Sequence, residues 1–95
     1  MLKDSTVKIL CAAVTQAIKK ERLRQNLSMN ALAERAGLSQ QMVSYIERGM
    51  RNPTLDTLFR LSIAMEIDLF VLIKDAVQDR GLEKSGKRTP PSKKC

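Results

Sequence analysis

The stretch LSMNALAERAGLSQQMVSYIERG, residues 27–49, decides the fold, because it carries the start and stop signals of two short helices. Ser28 stands at an N-cap position, its hydroxyl placed to accept a backbone N–H from the first turn of a helix over Met29 to Ala36. Gly37 follows, the residue that ends a helix in the left-handed conformation without a Cβ clash. Ser39 then caps a second helix, Gln40 to Arg48, and Gly49 ends it. Two helices joined by only Gly37-Leu38-Ser39 must turn sharply against each other. Ala33 falls on the inner side of the first, where a small side chain permits a close crossing. Val43 and Ile46, three apart, face the core with Leu32 and Leu58 as expected neighbours, which leaves Gln40, Gln41, Ser44, Tyr45 and Arg48 outward.

Upstream, residues 6–26 are rich in good helix formers and place Val7, Leu10, Val14, Ala17 and Ile18 on one apolar stripe. They predict a long first helix, with Thr15 as a point where it can divide in two. Downstream, Pro53 makes residues 50–53 a loop, and Thr54 or Pro53 starts a helix over Leu55 to Met65 whose Leu58, Leu61, Ile63 and Met65 supply core. Asp68 caps a fifth helix, Leu69 to about Asp79, with apolar residues wide enough to cover more than one neighbour. Only the run LFVLI is ambiguous with a strand, and its continuation into KDAVQD assigns it to helix. From Gly81 the chain reads GLEKSGKRTPPSKKC, too poor in apolar residues to fold. The expectation is one all-α domain over residues 1–79, with a disordered basic tail over 80–95.

With 95 residues the chain is too small for an enclosed cleft between lobes. It has no His, only Cys11 and Cys95, and no Asp or Glu cluster at ligand spacing, so no metal site, no cofactor and no acid–base enzyme is expected. Two distant cysteines without a secretory segment fit a reducing cytoplasm, and no apolar run approaches the ~20 residues of a membrane span. The net charge of +7 is unevenly placed. Residues 80–95 hold six Lys/Arg and one Glu, net +5, leaving eleven basic against nine acidic residues, +2, in residues 1–79. The tail, with Lys84, Lys87, Arg88, Lys93 and Lys94, either adds salt-sensitive DNA affinity or simply solubilises the chain.

Short helix, Gly-containing turn, short helix is the helix-turn-helix arrangement, here at residues 29–48. The sequence LSMNALAERAGLSQQMVSYIERGMRNPTLDTLFRLSIAMEIDL further resembles the Cro and phage-repressor (XRE-type) family. ALAERAGLS, the following QxxVSxIERGxRNPTLDTL and the closing LF stand in that family's order, over roughly Ala17 to Leu72. The resemblance implies a five-helix, lambda-repressor-like DNA-binding domain with an N-terminal helical extension. It implies that Gln40, Gln41 and Ser44, with Tyr45 beside them, read base edges in the major groove; a Gln amide both donates and accepts, as adenine N6 and N7 require.

Contacts to the DNA backbone are expected from Ser28, Met29, Asn30 and Ser39 at the helix N-termini, and from Arg48, Arg51, Asn52 and Thr54. Met29 departs from the Gln that the family often places there, so a contact at that point falls to backbone N–H groups or Asn30. Arg22 and Glu47 match a family ion pair that fixes the angle of the reading helix. The family commonly dimerises through its fifth helix, so Phe70, Ile73 and Val77 form a candidate interface that sets two reading helices about 34 Å apart on a palindromic operator. The alternative is that residues 6–14 fold back onto this stripe within one chain. The function expected is a homodimeric regulator of transcription that binds double-stranded DNA. An antitoxin whose main partner is a toxin or other antagonist protein, or a controller of a restriction-modification operon, is the rival.

Overall fold

The computed structural model describes residues 4–79; the expected tail and Cys95 lie outside the described residues. Five helices follow in order, α1 (Asp4–Arg24), α2 (Met29–Ala36), α3 (Gln40–Glu47), α4 (Leu55–Ala64) and α5 (Leu69–Asp79). No strand occurs among the described residues, and LFVLI lies in α5. No helix among them is long and apolar enough to cross a membrane.

The connections share one local design. After α1, α2, α3 and α4 the chain enters the left-handed region at Asn26 (φ 59), Gly37 (φ 71), Gly49 (φ 74) and Glu66 (φ 57). At each, the next residue's N–H reaches back five positions: Leu27 to the Arg22 carbonyl, Leu38 to Ala33, Met50 to Tyr45 and Ile67 to Ser62, at 2.9–3.0 Å. These paired bonds satisfy carbonyls that a helix end otherwise leaves open. Three connections then pass straight into a new cap. Ser28 accepts from the Ala31 N–H at 3.0 Å, Ser39 from Met42 at 3.0 Å and Asp68 from Phe70 at 2.8 Å. Asn26-Leu27-Ser28, Gly37-Leu38-Ser39 and Glu66-Ile67-Asp68 are therefore three versions of one turn, each with its middle apolar residue packed against the core. The α3–α4 connection is longer; its Met50 is 64% exposed, and Thr54 caps α4.

α2 packs against α3 and α4, α1 lies along α5 and touches α3, and α4 meets α5. Ile18, Leu32, Val43, Ile46, Leu61 and Met65 are the largest fully buried side chains, so all of the first four helices, with Met65 at the end of α4, reach one centre. Gln25 ties the end of α1 to the end of α4 by donating to the Met65 carbonyl at 2.8 Å. The same amide donates to Glu21 at 2.7 Å, and Arg24 pairs with Glu21 at 2.6 Å. The hydrogen bonds from Arg24 hold the Glu21 carboxyl below its ordinary value; partial burial opposes this and Gln25 adds to it.

Four expectations need correction. α1 does not divide at Thr15: that side chain is buried, and its hydroxyl donates to the Ala12 carbonyl at 3.0 Å inside an unbroken helix. Val7 is exposed rather than part of a buried stripe, because full burial along α1 begins only at Ala13. Ile63 is 71% exposed rather than core. It stands two residues from the buried Leu61, and at about 100° per residue that step carries it to the opposite face. The stripe Phe70, Ile73, Val77 is likewise not uniformly exposed: Phe70 is 82% exposed, whereas Ile73 packs against the core and Val77 is half-buried. α1 covers α5 within the chain, and Ala13 and Ala17 line a groove beside Leu72 and Ala76.

Candidate nucleic-acid interface

The inner side of α3 is fixed first. Val43 and Ile46 are buried in the centre, and Glu47, next along, is buried too. The Arg22 Nε donates to Glu47 Oε2 at 2.7 Å and its Nη2 to Oε1 at 3.0 Å, with side chains 7% and 1% exposed. Nη1 donates to the Leu27 carbonyl at 2.7 Å, so the guanidinium spans α1, the α1–α2 turn and the end of α3. A buried two-point pair of this kind tolerates little rotation of α3, because either partner left alone is a desolvated charge. Gln16 adds a longer contact to the Glu47 carbonyl at 3.4 Å.

The opposite side of α3 is polar. Gln40 and Gln41 are exposed, and Ser44 and Tyr45 are half-buried behind them. Two rows run along this face at i, i+4 spacing, Gln40 with Ser44 and Gln41 with Tyr45. In the second row the Gln41 Nε2 donates to the Tyr45 hydroxyl at 2.7 Å, and the Arg48 guanidinium carbon lies 5.7 Å from the Tyr45 ring centroid.

Two helix N-termini accompany this face. At α2 the Ser28 hydroxyl serves the Ala31 N–H, which leaves the N–H groups of Met29 and Asn30 without helical partners. The Met29 side chain is half-buried against the core, so only its backbone and the exposed Asn30 are available there. At α3 the Ser39 hydroxyl accepts from Met42 and keeps its own hydrogen to donate. In the α3–α4 connection Arg48, Arg51 and Asn52 are exposed. Thr54 is committed elsewhere: it accepts from the Thr57 N–H at 3.1 Å and donates to the Thr57 hydroxyl at 3.0 Å.

Two short capped helices with a three-residue turn, the first braced on the core and the second exposing a polar face, define the arrangement by geometry. The helix-turn-helix family profile matches residues 18–72, more than half of the chain. The chain belongs to the helix-turn-helix family. It is 38% identical over 55 residues to an uncharacterized HTH-type transcriptional regulator of Mycobacterium tuberculosis (strain CDC 1551 / Oshkosh), covering 58% of this chain and 39% of that protein. It is 30% identical over 63 residues to the HTH-type transcriptional regulator SinR of Bacillus subtilis (strain 168), covering 65% and 57%. The chain thus spans less than two thirds of either relative's length.

Among solved structures, the wild-type restriction-modification controller protein C.Esp1396I in its triclinic form superposes with a TM-score of 0.71 at 27% identity, over 79% of this chain and 97% of that one. The controller protein C.AhdI from Aeromonas hydrophila gives 0.62 at 32% identity, over 66% and 94%.

Two features of the surface were not anticipated from the sequence. One is the Gln41–Tyr45–Arg48 chain, whose i, i+4 and i, i+3 spacings are plain in the sequence but whose bonding partners are not. The other is an apolar stripe on α4: Leu55, Phe59 and Ile63, each four residues on, are 64%, 47% and 71% exposed.

Proposed function

We propose that the chain is a sequence-specific regulator of transcription that binds double-stranded DNA through α3 and works as a homodimer rather than as an enzyme. The observation that carries this is the division of α3 into a side locked to the core by Arg22 and Glu47 and an outward side of Gln40, Gln41 and Ser44. A helix held at a fixed angle with amide and hydroxyl groups facing out suits the major groove, whose base edges offer paired donors and acceptors. Met29 and Asn30 N–H groups, Ser39, Arg51 and Asn52 supply backbone contacts that set register.

The homodimer reading now rests on α4 as much as α5. Phe59 and Ile63, with Phe70 and Val71 from α5, are large exposed apolar side chains that a second copy can cover, pairing two reading helices for two half-sites. Within the regulator class, a controller of a restriction-modification operon is the favoured second reading. It is supported by the superposition that takes in 97% of C.Esp1396I, a protein of that role.

The test is selection of bound sequences from a random DNA pool at moderate salt, with sedimentation of the free chain. A single enriched palindromic motif and a dimer are expected. Failure to enrich any motif would overturn the DNA-binding reading.

A further inference from the structure

We propose that Tyr45 is a positioning residue that presets the amide of Gln41 for reading one base, rather than a base reader itself; this rests on the DNA-binding reading of α3 above. Gln41 Nε2 donates to the Tyr45 hydroxyl at 2.7 Å, and the Tyr45 ring is in turn engaged by Arg48, 5.7 Å from its centroid. Tyr45 is half-buried, while Gln41, which donates to its hydroxyl, is exposed. The three side chains form a short chain of support running from the C-cap of α3 back to its first turn.

The chemistry of the amide gives this arrangement its consequence. A glutamine amide carries two N–H donors and one carbonyl acceptor. One N–H is used by Tyr45, which leaves one donor and the carbonyl, the pair that adenine N7 and N6 require. An unheld glutamine can rotate its amide and offer the two groups in either order. With its Nε2 on the Tyr45 hydroxyl, Gln41 is held in the orientation of this structure, and the ordering of the side chain is already met in the free protein, which is the general benefit of preorganisation. Gln40 differs: it is exposed, and among the described residues its side chain makes no hydrogen bond. The base opposite Gln41 is therefore specified strictly and the base opposite Gln40 more tolerantly.

The experiment takes the site enriched by the full chain from a random pool, and its complete set of single-base variants. It measures binding by the unaltered chain, Tyr45→Phe, Gln41→Ala and the double substitution. Tyr45→Phe keeps the ring and its contact with Arg48 and removes only the hydroxyl. It is expected to lower discrimination at the same base position as Gln41→Ala, by roughly two- to tenfold, and to add nothing when Gln41 is already Ala. In the DNA-free protein, NMR relaxation of the Gln41 side-chain amide should report greater mobility in Tyr45→Phe. Loss of discrimination at a different base, or full additivity of the two substitutions, would make Tyr45 a reader in its own right and overturn the proposal. Unchanged Gln41 mobility would overturn it as well. If the unaltered chain enriches no motif, the DNA-binding reading falls and this role with it, whereas an enriched motif with an indifferent Tyr45→Phe removes the positioning role alone.

Discussion

Arg22 of α1 and Glu47 of α3, 25 positions apart, meet as a buried two-point ion pair at 2.7 and 3.0 Å. The pair joins the long first helix to the end of the helix that presents the polar face. Glu47→Ala should destabilise the fold by about 3–5 kcal/mol, because it leaves a buried guanidinium without its carboxylate. The double variant Arg22→Met/Glu47→Leu should recover much of that loss in urea unfolding, yet bind the selected DNA site more weakly because the angle of α3 is no longer fixed.

Base contacts and backbone contacts should separate by substitution. Gln40→Ala is expected to reduce discrimination among variants of the selected site, in the range of about 1–3 kcal/mol. Arg51→Ala should weaken binding to all sequences nearly equally and reduce the slope of log affinity against log salt by about 1. Titrations at several salt concentrations distinguish the two patterns.

The exposed apolar surface of α4 and α5 gives a test of assembly. Ile63→Lys combined with Phe70→Lys should shift the chain toward monomer in sedimentation while leaving its helical circular dichroism intact, since both side chains are solvent-facing at 71% and 82%. Affinity for a two-half-site operator should fall far more than affinity for one half-site, because the second contact loses its effective concentration.

Glu66 occupies a left-handed position, φ 57, that favours glycine. Glu66→Gly should stabilise the domain by about 1 kcal/mol, relief of Cβ crowding outweighing the added freedom of the unfolded chain. Gly37→Ala should do the reverse, because at φ 71 a Cβ is strained and would also meet the Arg60 guanidinium at 3.3 Å. Thermal unfolding of both variants checks the pair of signs.

Acid should act partly through Glu21. Its carboxyl is held below the ordinary value by Arg24 hydrogen bonds, so the folded state binds its proton less readily than the unfolded state. Its contribution to stability is fully present above the unfolded value and is lost as pH falls through the folded value. Glu21→Gln should therefore flatten the acid limb of a stability–pH curve measured by urea titration, with a small effect at neutral pH.

Local features of the fold are legible in the sequence and tertiary ones less so. Ser28, Ser39 and Gly37 announce their roles because capping and left-handed turns depend on a few neighbouring atoms. The left-handed ends at Asn26 and Glu66 are harder to read, since neither is glycine and only the returning hydrogen bonds of Leu27 and Ile67 reveal them. Ile63 misleads because an apolar residue in an amphipathic helix is ordinarily core; here it belongs to the stripe Leu55, Phe59, Ile63, whose spacing is as regular as that of the buried face. Arg22 and Glu47 are too far apart for periodicity to connect, and only the family resemblance brings them together. At the candidate interface, helix phase separates Gln40, Gln41 and Ser44 from Val43 and Ile46. The bond between Gln41 and Tyr45 depends on rotamers that no spacing rule supplies.

The three matching turns, Asn26-Leu27-Ser28, Gly37-Leu38-Ser39 and Glu66-Ile67-Asp68, draw on backbone bonds, caps and inward apolar residues, and on none of the outward side chains of α3. On the proposed DNA-binding reading, the letters that set these turns are distinct from the base-facing Gln40, Gln41 and Ser44, and Ser39 alone of the Gly37-Leu38-Ser39 turn serves both as cap and as a DNA-backbone contact. On that reading, substitutions at Gln40, Gln41 and Ser44 should change operator preference without renegotiating how the domain holds together, so that specificity is open to rewriting on a fixed scaffold.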